Sequence, residues 1–190
     1  MKKIFAFIAA AFMAISASAQ SEAGSFTLQP NVGVTYSTAT GDGSDADGAF
    51  ALTAGVEGMY MVNDKFGAAL GLNYTGYNVS KTFRKEDVVY SNYYFNIPVT
   101  ANYYVAPGLA LKAGIAFNIL STAKVDGEDE VGMIKFKDYY KSTFVSIPVG
   151  ASYEINDFVF NLRYNFGVSN IQKDADGSFN ALTFTVGYKF

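Results

Sequence analysis

The chain has no cysteine, no histidine and no tryptophan, and only four prolines in 190 residues. Without cysteine there are no disulfides, no thiolate metal site and no lipid anchor on a thiol. Without histidine, neither a Ser-His-Asp triad nor an imidazole general base can be assembled. A basic excess is missing too: 14 Lys and Arg stand against 17 Asp and Glu, for a net charge of −3. No cationic stripe is left to release counterions from phosphates, which excludes nucleic acid as a partner. Long apolar runs are confined to the first residues, and a membrane helix needs roughly 20 of them in succession. No cofactor or metal is expected, and no enzymatic activity.

The amino terminus has the layout of an export signal. Met1, Lys2 and Lys3 form a basic head, Ile4 to Ile15 are apolar, and Ala17-Ser18-Ala19 is a small-x-small cleavage box. The apolar run is too short to span a bilayer, so residues 1–19 are expected to be a cleaved signal peptide. Cleavage would leave one mature domain, 20–190, with Gln20 first. Losing Lys2 and Lys3 leaves 12 basic against 17 acidic residues.

Aromatics and glycine are plentiful: Phe 17, Tyr 14 and Gly 18. They fall in alternating segments, and alternation is the mark of a strand with unlike faces. In the last segment Leu182, Phe184, Val186, Tyr188 and Phe190 share one side, and Thr183, Thr185, Gly187 and Lys189 the other. Eight such strands are expected near 26–37, 49–61, 66–78, 89–105, 109–121, 143–155, 158–169 and 179–190. The links after the second, fourth and sixth carry tight-turn chemistry: Val62 to Lys65, Ala106-Pro107-Gly108 and Asn156-Asp157. The other links, 38–48, 79–88, 122–142 and 170–178, are longer and polar. An even strand number with short turns at one end and long loops at the other is the plan of an outer-membrane barrel. The expected fold is all-β, an eight-stranded antiparallel up-and-down transmembrane β-barrel. A soluble lipocalin-like barrel, with greasy faces inward, is the alternative.

The charges agree with that orientation. Glu57, Lys112, Glu154, Arg163 and Lys189 all lie on polar faces, and each is close to a short turn or the last residue. In a barrel they gather in one half of a narrow lumen, where buried charges must pair. A structural Glu57/Glu154–Lys112/Arg163 network, with Lys189 nearby, is therefore expected to plug it. Aromatics on the outward parity form two belts. Tyr60, Phe66, Tyr103, Tyr153, Phe158, Tyr188 and Phe190 flank the short turns. Tyr36, Phe50, Tyr74, Tyr93 and Phe166 lie near the long loops.

Two hairpins repeat a motif, Asn96-Ile97-Pro98-Val99-Thr100-Ala101-Asn102-Tyr103 and Ser146-Ile147-Pro148-Val149-Gly150-Ala151-Ser152-Tyr153. With the alternating tail Val186-Gly187-Tyr188-Lys189-Phe190, the chain resembles the outer-membrane β-barrel domain family common in Bacteroidota, which includes PorT-like proteins. It is similar in plan to OmpX, the OmpA transmembrane domain and the opacity porins. The resemblance implies residence in the outer membrane among lipid and lipopolysaccharide. It also implies a carboxy-terminal assembly signal, here Phe184, Val186, Tyr188 and Phe190, read by the barrel assembly machinery. Such families host adhesins, lipid A enzymes, secretion parts and scaffolds. A structural or interaction role through loops 38–48, 79–88, 122–142 and 170–178 is expected. The alternatives are a narrow pore or secretion accessory and, opposed by the missing histidine, a lipid-modifying enzyme. Proline removes a donor from a paired strand, so a bulge is expected at Pro98 and at Pro148. The Gly- and Asp-rich run 41–48 and the acidic runs 126–130 and 173–177 read as solvated loops, with divalent cation bridging to lipopolysaccharide as a hypothesis.

Overall fold

The computed structural model describes residues 22–41, 47–83, 86–126, 141–171 and 177–190. The expected signal peptide and the acidic stretches 42–46, 127–140 and 172–176 lie outside them. The described chain forms eight strands: β1 (Phe26–Gly41), β2 (Asp47–Asn63), β3 (Phe66–Phe83), β4 (Glu86–Ala106), β5 (Leu109–Asp126), β6 (Thr143–Ile155), β7 (Phe158–Gly167) and β8 (Gly177–Tyr188). Each pairs antiparallel with its sequence neighbour, and β1 closes on β8. Pairings followed from Phe26 through Tyr60, Ala68, Ala101, Ala113, Val149, Tyr164 and Leu182 return to β1 at Tyr36, a stagger of ten residues. Strands so staggered must tilt against the barrel axis.

The short turns follow from their residues. In the β2–β3 turn the Asn63 Oδ1 accepts from the amides of Lys65 and Phe66, both at 3.0 Å. Gly108, after Pro107, takes φ +74° in the β4–β5 turn, and Asn156 takes +53° in the β6–β7 turn. Both are residues that tolerate the left-handed region.

The greasy faces point away from the lumen. Phe50, Leu52 and Phe26 are 71%, 68% and 66% exposed, and Leu70, Val99, Ile115, Val149 and Leu162 are exposed with them. The inward alternates Thr53, Asn73, Thr100, Asn102, Asn118 and Thr185 are buried. A soluble barrel inverts this arrangement, so the lipocalin-like alternative fails.

Three expectations need correction. Most of the segment 79–88 is paired strand rather than loop: β3 and β4 stay paired to Phe83 and Glu86. Likewise β5 runs on to Asp126, and β1 to Gly41. Lys, Glu and Asp there mark solvent, and a ladder in solvent tolerates charge as readily as a loop does. As a result the barrel rim is uneven: β2 to β5 span 17 to 21 residues, whereas β6 to β8 span 10 to 13.

No bulge forms at Pro98 or Pro148. The β3–β4 register is the same at Leu70↔Val99 and Asn73↔Asn96, and the β5–β6 register is the same at Ala113↔Val149 and Ala116↔Ser146. The ladder merely skips the proline positions. Each proline there faces a glycine, Gly71 or Gly114, and a Cβ on Gly71 would come within 2.9 Å of the Pro98 ring. At Pro98 the missing side chain makes room for the ring without an extra residue, whereas a Cβ on Gly114 would meet the Val99–Thr100 backbone of β4. The β4–β5 register shifts instead where Tyr93↔Thr122 gives way to Tyr94↔Leu120, which leaves Ser121 of β5 as the extra residue, and again beside the short turn between Tyr104 and Ala106.

Tyr188 is not an exposed belt residue. It is only 5% exposed, covered by the rings of Phe158 at 5.4 Å and Phe190 at 4.9 Å. Strand β8 ends there because its β1 neighbour in register is Pro30, which has no amide hydrogen to offer. Pairing resumes one step on, where Phe190 N donates to Leu28 O at 2.9 Å and Leu28 N donates to Phe190 O at 3.2 Å.

Candidate functional site: the barrel lumen

The short-turn end of the lumen is charged. Lys112 Nζ donates to Glu57 Oε1 at 2.5 Å and to Asn161 Oδ1 at 3.1 Å. Arg163 Nη1 stands 3.9 Å from Glu57 Oε2, close enough for Coulomb attraction and too far for a hydrogen bond. These three side chains are each at least nine-tenths buried. Glu154 has different partners. Lys189 Nζ donates to its Oε2 at 2.7 Å and the Tyr104 hydroxyl to its Oε1 at 2.5 Å. Thus the structure brings the five charges together as two clusters, with Lys189 rather than Lys112 or Arg163 on Glu154. Burial strengthens both, because water no longer screens the charges.

Tyr104 was missed by sequence reasoning. Its signal was parity, since it shares the inward side of β4 with Asn96 and Asn102. A hydroxyl there satisfies the second oxygen of a buried carboxylate.

The middle of the lumen is polar and uncharged. Thr53 and Thr75 share a hydrogen bond of 2.8 Å, and Thr35 and Thr183 one of 3.2 Å. Asn96 Nδ2 donates to Asn118 Oδ1 at 2.7 Å, and Asn118 Nδ2 donates to Ser146 Oγ at 3.1 Å. These rungs tie adjacent strands along the inner wall, and the Thr35–Thr183 pair does so across the β1–β8 seam.

The long-loop end is aromatic. Tyr77, Tyr94, Phe144 and Phe179 pack with Val79, Ile171 and Ala181 into a buried cluster. Tyr77 meets Tyr94 at 5.5 Å and Phe144 at 5.4 Å, both nearly edge-on, and Tyr94 meets Phe144 at 5.0 Å. Such edge-to-face pairs add about 0.5–1.5 kcal/mol each beyond the area they bury. Tyr77 also donates to Asn118 Oδ1 at 3.2 Å, linking the cluster to the polar belt. Sequence reasoning missed this cluster as well, though Tyr77 continues the inward series Asn73, Thr75 of β3.

The outward aromatics near the long loops pair on the surface. Tyr74 stacks on Tyr93 at 5.2 Å, and Tyr36 lies 4.9 Å from Phe50. At the other end Tyr60, Tyr103 and Tyr153 are about half exposed. Among the described residues no group of three or more acidic side chains could hold a metal ion. The acidic runs suggested for cation bridging fall almost wholly outside those residues.

An apolar outer wall, a closed ladder and an ionisable interior define a small transmembrane barrel. The chain belongs to the outer membrane protein beta-barrel domain family, whose model matches residues 5–190. That membership places the protein in the outer membrane. Among solved structures it is similar to Neisserial surface protein A, at 15% identity and TM-score 0.53, over 89% of this chain and all of that one. It is also similar to Ail, the attachment invasion locus protein of Yersinia pestis, at 14% identity and TM-score 0.50, over 88% and 99%. No curated protein sequence matches the chain. At such identities the shared property is the fold.

Proposed function

We propose that this protein is a non-conducting outer-membrane barrel that acts as a structural or docking element, with its lumen plugged by its own side chains. The observation that carries the reading is the Tyr77–Tyr94–Phe144–Phe179 cluster across the long-loop end, with each of the four rings at most 2% exposed. An eight-stranded barrel leaves space inside for side chains and little else. Docking falls to the uneven rim, where the extended β3–β4 pair and the links 38–48, 122–142 and 170–178 meet the outside. One solved Ail structure holds the heparin analogue sucrose octasulfate. The loops of this chain carry more acid than base, so a polyanion is a poor fit and a neutral or basic protein surface a better one. The missing histidine and cysteine argue against catalysis. Planar bilayer recording of the purified protein tests the plug: no steady conductance is expected, and a large steady current overturns it.

A narrow pore or secretion accessory is the second reading. Supporting it, both side-chain polar atoms of Asn102, the Thr100 hydroxyl and Arg163 Nε are buried without a protein partner. Such atoms call for water in the charged half of the lumen. The same recording separates the readings.

Residues 1–19 serve as the export signal in this proposal, and amino-terminal sequencing of the mature protein is expected to begin at Gln20. The assembly signal Phe184, Val186, Tyr188 and Phe190 engages the barrel assembly machinery, and lipopolysaccharide surrounds the outer half of the wall.

A further inference from the structure

The outer wall has a hollow at the seam between β1 and β8. It encloses about 370 Å³ and is lined by Pro30, Val32, Phe158, Val186, Gly187 and Tyr188, with Asn31 beside them. Its origin is local. Pro30 interrupts the β1–β8 ladder opposite Tyr188, and the backbone of Asn31 and Gly187 forms the floor. The Tyr188 ring leans on Phe158 and Phe190, which raises one bank. Val32, 60% exposed, forms the other. The hollow lies toward the short-turn end, which faces the periplasm in this family plan.

We infer that this groove seats an acyl chain of an inner-leaflet phospholipid that stays with the barrel. The groove is continuous with the hydrocarbon-facing wall, so its occupant comes from the bilayer. An empty hollow would forfeit dispersion contacts on every side, and a flexible chain restores them. Its lower mouth has a polar marker: Asp157, in the β6–β7 turn, accepts from the Tyr188 hydroxyl at 3.3 Å. A carboxylate at headgroup height favours a headgroup bearing an ammonium, such as ethanolamine, over an anionic one. Lipid A chains are excluded by their leaflet.

The experiment is native mass spectrometry of the barrel extracted gently from membranes. One phospholipid per barrel is expected on the wild type, enriched in ethanolamine headgroups. Val186→Phe fills the groove and is expected to lower retention at least fivefold. Val99→Phe, an equal enlargement on the opposite wall, should leave it unchanged, and Asp157→Asn should flatten the headgroup preference. Equal lipid retention by Val186→Phe and the wild type overturns the inference. If Val186→Phe fails to fold, a phospholipid with a photoreactive acyl chain decides on the unmodified protein. Crosslinks concentrated at Val32, Phe158 and Val186 support the groove, and crosslinks spread evenly around the wall overturn it.

Discussion

At the short-turn end of the lumen the buried groups are charged, and at the long-loop end they are aromatic. Both ends fill the same narrow bore, yet they resist disturbance in different ways. An ion pair is stable only while both partners remain, because a lone buried charge is far more costly than an absent pair. An aromatic cluster loses in proportion to the volume removed, and no single ring is obligatory. The charged end is therefore brittle and the aromatic end graded.

The sharpest test is Glu57→Leu, which strands Lys112 and Arg163 together. A loss of about 3–5 kcal/mol is expected in denaturant unfolding, followed by heat-modifiable gel migration or tyrosine emission. Adding Lys112→Met and Arg163→Met to the same protein should recover most of that loss. Failure to recover would erase the distinction between the two ends. Next comes Phe179→Ala in the aromatic cluster, expected to cost about 3 kcal/mol with no rescue by any charge change. Tyr104→Phe leaves Glu154 with Lys189 alone and should cost about 1–2 kcal/mol by the same unfolding measurement. The smallest effect is expected outside the lumen. Val149→Ala on the lipid face should cost less than about 1 kcal/mol, since hydrocarbon replaces the methyl groups it loses. A large effect there would show that the wall packs against something other than lipid.

The strands and their faces were legible because hydrocarbon imposes a rule without exceptions. A charge at the bilayer midplane costs roughly 2–4 kcal/mol, so Glu57, Lys112 and Arg163 could lie only on inward parity. Beyond the membrane that rule lapses. Lys81, Arg84, Lys85, Glu86 and Asp87 read as loop, although the backbone continues as a ladder to Phe83 and Glu86. The aromatic cluster was hidden for the opposite reason. Tyr77, Tyr94, Phe144 and Phe179 are greasy residues on the polar parity, and composition alone assigns such residues outward. Partner choice was out of reach altogether. Whether Glu154 meets Lys189 or Arg163 depends on stagger and closure, which depend on pairings between distant segments.

The closing of β1 on β8 has a kinetic consequence. Seven of the eight strand pairings join neighbours in sequence, and each hairpin can zip at small entropic cost. The eighth brings together segments about 150 residues apart, as in Val34↔Phe184. The pairings of greatest sequence separation in the molecule are concentrated in that one event, and it must proceed past a proline that offers no hydrogen bond. The last seam therefore carries the largest loop-closure cost of the eight, and Pro30 leaves it one hydrogen bond short.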